Sequence, residues 1–263
     1  GALLMSKVIA PSLNEAFPGQ LPKVFTGIGL ILGTIGLVAA SFLRNPPTPA
    51  TTAVNNEKVG PKLMSRQFAL MWLVFFCNIV AGIAIISFQS PLLQDLLRKQ
   101  DPLLSAATLA AAGATLIAVS SIFNGVGRFA WGALSDRWGQ LQTFRVMLIT
   151  QTIAFVALIF TGNIWLFGAL ICYVLFCYGG GFGVMPSFVL NAFGPRLMAV
   201  IYGCTLTAWA AGGIVGPQVV AWLKDSQGPQ ASVYAFGLGA AMLTLGFVLS
   251  LLCRSQKLPT ARV

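Results

Sequence analysis

Histidine is absent from this 263-residue sequence, and Asp and Glu together number six. Without imidazole, and with no CxxC pair among the five cysteines, a Cys/His zinc site has no ligand set. There is no GxSxG either, and no acid lies inside an apolar run. A nucleophile–base pair therefore has no partners to draw on, so neither an enzyme nor a cofactor is expected. Charge of both signs is scarce: 8% of residues are charged, against about 25% in a soluble domain. So few charges cannot clothe a water-soluble protein of this size, and lipid must be the solvent for most of it. The net charge of +10 comes from basic residues scattered between apolar blocks, with no Lys/Arg run to follow a phosphate backbone. No nucleic-acid partner is expected. The cysteines (Cys77, Cys172, Cys177, Cys204, Cys253) lie in or at the ends of apolar runs and read as small packing residues.

What the sequence has is long uncharged stretches. No charge intervenes between Lys23 and Arg44, Arg66 and Asp95, Asp101 and Arg128, Arg196 and Lys224, or Asp225 and Arg254. The fifty uncharged residues between Arg145 and Arg196 are interrupted near Gly162-Asn163, enough for two spans and a turn. At about 20 residues per crossing, seven spans are expected, roughly 23–43, 67–92, 103–132, 143–161, 164–188, 198–222 and 231–253. The runs are continuously apolar rather than alternating, which selects helices over a barrel. With the 44–66 segment placed in the cytoplasm, ten Lys and Arg fall on that side and five on the other. The positive-inside rule then places the C-terminus in the cytoplasm as well.

Residues 44–66 hold four prolines and no apolar run, and read as a cytoplasmic linker. Residues 1–13 read as the end of a helix already under way, so the sequence is expected to be a piece of a longer chain.

One charge falls inside an expected span. Arg128 ends a stripe with Ser120, Ser121 and Asn124 that occupies a helical sector of about 100°. A charge at membrane depth costs at least about 2.5–3.5 kcal/mol, so a function is expected of it. A guanidinium also offers a fork of donors that fits a carboxylate in bidentate fashion. The competing role is snorkelling toward the interface or structural pairing. Downstream, Gly132, Asp136, Arg137 and Gly139 stand in GALSDRWG, where glycine permits a sharp turn and the charges could clasp and release as a gate. Gly179-Gly180-Gly181-Phe182-Gly183 lies in an apolar run, so close helix packing, not a phosphate loop, is expected of it. In the sixth span Tyr202, Thr205 and Trp209 recur on one face and continue to Gly212, Gly213 and Gly216. Packing and ligand contact are both open readings for that face.

These motifs resemble the C-terminal half of the major facilitator superfamily, whose eighth helix ends in a GxxxDRxG loop. NGVGR at 124–128, GALSDRWG at 132–139, the glycine run before Pro186, and NAFG at 191–194 followed by YG at 202–203 resemble the oxalate/formate antiporter family, related to the monocarboxylate transporters. The resemblance implies an all-α integral membrane fold, partial, with about seven of twelve helices. Residues 1–43 would close the N-terminal half (the end of helix 5, then helix 6), and 67–263 would form the C-terminal six-helix half. It implies a secondary transporter of a small organic anion working by alternating access, as antiporter or symporter, with a proton as a candidate partner. Arg128, Asn124, Tyr202 and Trp209 would bind substrate, and Asp136 and Arg137 would help latch the cytoplasmic side. The other partners implied are the lipid bilayer and the missing N-terminal half, and the location is a bacterial inner membrane. Oxalate-transporting members carry a lysine in helix 11 where this chain has Trp209. One arginine balances one carboxylate, so a monocarboxylate such as lactate, pyruvate or formate is expected before oxalate. An oxalate/formate-type exchanger and a non-transporting anion sensor are the alternatives.

Overall fold

The computed structural model describes residues 4–44 and 59–253. The described residues form helices joined by short turns, and the chain divides into two compact units, Gly1–Lys58 and Val59–Val263. In the first unit a π-helical turn, Met5–Ile9, runs into α1 (Ala10–Ala16), and a turn at Gly19 leads to α2 (Leu21–Ser41). Leu13 of α1 packs on Gly27 of α2. Val24 is the one buried side chain of α2, while Phe25 is 69% and Leu37 76% exposed. A helix that is apolar all round and buries almost none of itself within its unit suits a lipid environment.

The second unit holds α3 (Val59–Leu63), α4 (Arg66–Gln100), α5 (Ala106–Trp138), α6 (Gln140–Phe160), α7 (Ile164–Phe193), α8 (Met198–Thr205), α9 (Thr207–Gln227) and α10 (Ala231–Leu251). Three of these starts are written in the sequence. Ser65, Ser105 and Asn163 each accept a hydrogen bond from a backbone N–H of the first turn, at Phe68, Thr108 and Trp165 respectively. Counting Met198–Gln227 as one, seven helices are long and apolar enough to cross a membrane, matching the expected spans.

Three differences from expectation stand out. Part of the expected 44–66 linker is helical: Val59 and Leu63 of α3 pack on the core, while 45–58 lie outside the described residues. The helices also outrun the spans read from charge gaps. α4 has 35 residues, about 52 Å at 1.5 Å per residue against a hydrocarbon core of about 30 Å. Its last turns carry Asp95, Arg98 and Lys99 as helix, just as the end of α5 carries Asp136 and Arg137. Finally, the sixth span is broken at Leu206. There Trp209 N–H donates to the Leu206 carbonyl at 2.9 Å, a tightened i→i−3 bond, and Thr207 Oγ1 donates to the Cys204 carbonyl at 2.7 Å. Trp72 of α4 clamps the break by donating from Nε1 to Thr207 Oγ1 at 2.8 Å.

The core is built from α4, α6 and α7, which supply Phe75, Phe144, Phe155 and Ile171, each almost fully buried. The most extensive helix pair is α5 with α7. The glycine run makes it possible, as its apolar setting led us to expect. A methyl on Gly127 would run into the Phe176 carbonyl, one on Gly179 into that of Asn124, and one on Gly183 into that of Arg128. Backbones touching at this range need hydrogen in place of a side chain. A buried amide pair ties α6 to α4, with Gln151 Nε2 donating to Asn78 Oδ1 at 2.8 Å. Nearer the start of α6, Arg145 Nη2 donates to the Ser250 carbonyl at 3.0 Å, a cation satisfying the C-terminus of α10.

Candidate functional site

Arg128 is exposed on the second unit, ten residues before the end of α5, and its guanidinium lies over the Phe182 ring at 5.3 Å from the centroid. Guanidinium over an aromatic face is an attractive, orienting contact at this separation. Phe182 is held in turn by edge-on rings: Tyr178 at 5.3 Å, Phe75 at 5.4 Å and Trp209 at 6.4 Å. The Tyr178 hydroxyl is within electrostatic reach of Arg128 and hydrogen-bonding reach of Trp209, and Tyr202 also feels the Arg128 charge. Three helices and the short α8 thus bring one cation, one aromatic plate and three polar-tipped aromatics together. Among the described residues of this unit, no carboxylate pairs with Arg128. Asp136, eight residues on, is about 12 Å further along the same helix.

The expected polar stripe of α5 does not line one cavity. Ser120 is buried and donates to Gln89 Oε1 of α4 at 2.8 Å, while Ser121 donates to the Ala118 carbonyl of its own helix. Asn124 turns its Oδ1 against Gly179, where it is buried without a partner. Helical phase placed these residues on one side, but α4, α7 and the helix's own backbone divide them. The face of the sixth span divides too: Thr205 is fully buried and bonds Ile201, whereas Trp209 is 51% exposed. Gly212 and Gly216 lie against Ile79 and Val80 of α4, the close approach expected of them.

In GALSDRWG the turn rests on Gly139, at φ +85°, where an L side chain would be strained. Gly139 N–H closes α5 on the Ser135 carbonyl, and its own carbonyl accepts from Thr143 N–H at 3.1 Å to start α6. Gly132 takes no part in the turn; it lies within α5, a van der Waals step from Gly183. Asp136 and Arg137 are exposed in the last turn of α5, and no ion pair joins either to another described residue. The loop is fastened to the end of α7 by Asn191 Nδ2 donating to Gln140 Oε1 at 2.8 Å.

Residues 2–217 match the family model described as Major Facilitator Superfamily. The chain belongs to that superfamily. It is an integral membrane protein of seven described membrane-length helices, and its fold is a partial major facilitator fold. It is 30% identical over 268 residues to Apicoplast pyruvate carrier 1 of Toxoplasma gondii, a match covering all of this chain and 46% of that protein. It is 26% identical over 229 residues to an oxalate:formate antiporter of Oxalobacter formigenes, covering 84% of this chain and 47% of that one. The oxalate/formate likeness read from the motifs is thereby supported. The chain spans a little under half the length of these relatives. Among solved structures, a bacterial homologue of the human lysosomal transporter Spinster, inward-facing and occupied, superposes with a TM-score of 0.57 at 16% identity. That match covers 95% of this chain and 64% of that one, and concerns the fold.

Sequence reasoning overlooked two members of the Arg128 cluster in this superfamily chain. Tyr178 and Phe182 are one helical turn apart inside a run apolar on every face, where periodicity carries no signal. The one available hint was a tyrosine hydroxyl in a lipid-depth segment, which needs a partner.

Proposed function

We propose that the chain is part of a secondary transporter that moves a small monocarboxylate, such as pyruvate, lactate or formate, by alternating access. The observation that carries this is the guanidinium of Arg128, without a carboxylate partner among the described residues of its unit and held over Phe182, whose ring Tyr178 and Trp209 meet edge-on. A carboxylate taking both prongs of the guanidinium would neutralise it at membrane depth. Tyrosine and indole donors at the rim would orient the ligand, and the ring faces would pack its short carbon body. A single cation matches a single carboxylate; a second would stay uncompensated. The names of two relatives, a pyruvate carrier and an oxalate:formate antiporter, point to small organic acids. In this reading residues 67–263 form one half around the substrate. The excess of Lys and Arg on one set of loops supports a cytoplasmic C-terminus and a cytoplasmic 44–66 segment, and the membrane in this reading is a bacterial inner one.

The test is uptake of labelled pyruvate, lactate, formate and oxalate into proteoliposomes holding the complete protein. Accumulation or exchange of a monocarboxylate in preference to oxalate is expected. Oxalate preference would transfer the reading to a dicarboxylate exchanger, which the Oxalobacter relative favours, and saturable binding without flux would make the protein a sensor.

The exposed Asp136 and Arg137 at the Gly139 turn are proposed as a latch closed in one conformation and open in another. Asp136→Asn is then expected to change turnover severalfold with little change in half-saturation. Loss of affinity at constant turnover would count against a gate, because a latch biases conformations without touching the ligand.

A further inference from the structure

At the end of the second unit where α4, α6 and α9 finish and α7 and α10 begin, there is a cavity of about 520 Å³, within the roughly 300–1,000 Å³ of small-molecule sites. Its floor is apolar, made by Leu92, Leu158, Phe167 and Phe236. Its rim is cationic: Arg98, Lys99 and Lys224 face a single acid, Asp95. Lys224 is partly withdrawn from solvent and lies over the Phe88 ring, 5.8 Å from its centroid. Two further groups on the lining are polar. Thr161 Oγ1 is buried and has no hydrogen-bond partner, and Ser232 lies in the first turn of α10, whose start has no side-chain cap.

A simpler account would have the basic residues merely complement the helix C-termini on which they stand. That explains Arg98 and Lys99 in the last turn of α4 and Lys224 in that of α9. It does not explain why they ring a hollow with an apolar floor, or why a threonine hydroxyl is buried there without a partner. None of the Arg128 cluster lines this cavity. Trp209 and Lys224 are fifteen residues apart on α9, about 22 Å along its axis.

We infer that this cavity is a second anion site, which takes an amphiphilic organic anion with a carboxylate or phosphate at the rim and a small apolar body on the floor. The head would meet Arg98 and Lys224 with the α10 N-terminus behind it, and the body would cover Phe167 and Phe236. Such a ligand can come from water, as an aromatic or branched carboxylate, or from the bilayer, as an anionic lipid. The inference is independent of transport at Arg128.

The experiment uses the complete protein in phosphatidylcholine nanodiscs. Phenylacetate is titrated against its neutral analogue 2-phenylethanol, and phosphatidylglycerol is offered in a parallel set read by native mass spectrometry. Binding of at least one anionic probe is expected, with its affinity falling tenfold or more in Arg98→Gln/Lys224→Gln. Recovery in Arg98→Lys/Lys224→Arg would show that the loss came from charge, not from misfolding. Phenylacetate binding identifies the aqueous source and phosphatidylglycerol retention the membrane source. The inference is overturned if neither probe exceeds its neutral counterpart, if the glutamine pair leaves binding unchanged, or if Arg128→Gln removes it, since the anion would then be sitting at the other site.

Discussion

Replacing Arg128 by lysine is expected to weaken monocarboxylate uptake roughly ten- to hundredfold while leaving the protein folded and inserted, because one charge-assisted hydrogen bond of about 1.5–3 kcal/mol is lost. Lysine keeps the charge, so simple electrostatic attraction survives. What disappears is the planar fork proposed to grip both carboxylate oxygens, and with it the guanidinium's contact with the Phe182 ring. The measurement is initial uptake against substrate concentration in proteoliposomes, with Arg128→Gln as the harsher comparison. If Arg128 were a snorkelling residue, lysine would serve as well and uptake would be unchanged. The absence of a carboxylate partner among the described residues of its unit argues against a structural ion pair.

The second large effect concerns stability and separates three glycines on neighbouring helices. Gly127→Ala and Gly183→Ala are each expected to cost about 1–3 kcal/mol, since the new methyl meets backbone that cannot rotate aside. At Gly127 the obstacle is the Phe176 carbonyl and at Gly183 the Arg128 carbonyl. Gly125→Ala, two residues from Gly127 on α5, has open space within 4 Å of the new methyl, and gains up to about 1 kcal/mol of helix propensity. Thermal unfolding in detergent should therefore rank Gly125→Ala at or above the parent and the other two well below it. Similar melting of all three would mean that α5 and α7 are not in backbone contact. Gly183→Ala should also reduce transport more than its stability loss explains, because it displaces Arg128, the residue proposed to hold the carboxylate.

The spans were legible because a long uncharged run in lipid has essentially one solution, and the glycine run because a phosphate loop needs water it does not have. Helix ends were not legible from charge gaps. Residues such as Arg98, Lys99 and Arg137 are read as loop when helix simply continues into water, where charged side chains are solvated at little cost. The interruption at Leu206 left no trace, since neither proline nor glycine marks it and its partner Trp72 is 135 positions away. Arg128 was found because a charge is conspicuous in an apolar run. Tyr178 and Phe182 were not, because an aromatic residue among apolar ones is ordinary until a neighbouring helix gives it an electrostatic role. The stripe from Ser120 to Arg128 shows the limit of a helical wheel. It gives direction, but which neighbour waits in that direction is decided by tertiary packing, and here Gln89 and Gly179 claim two of its members.

The contact of Gly183 with the Arg128 carbonyl fixes more than a distance. The cation stands on α5 and its aromatic plate on α7, and the two helices are meshed at those residues like teeth of one gear. Neither can slide without carrying the other, so charge and plate move as a single rigid jaw. Trp209 stands on α9, three residues beyond the tightened turn at Leu206, and meets the jaw at the Phe182 ring and beside the Tyr178 hydroxyl. In the proposed transport reading the grip on the carboxylate therefore keeps its shape through the cycle, since charge and plate are carried together.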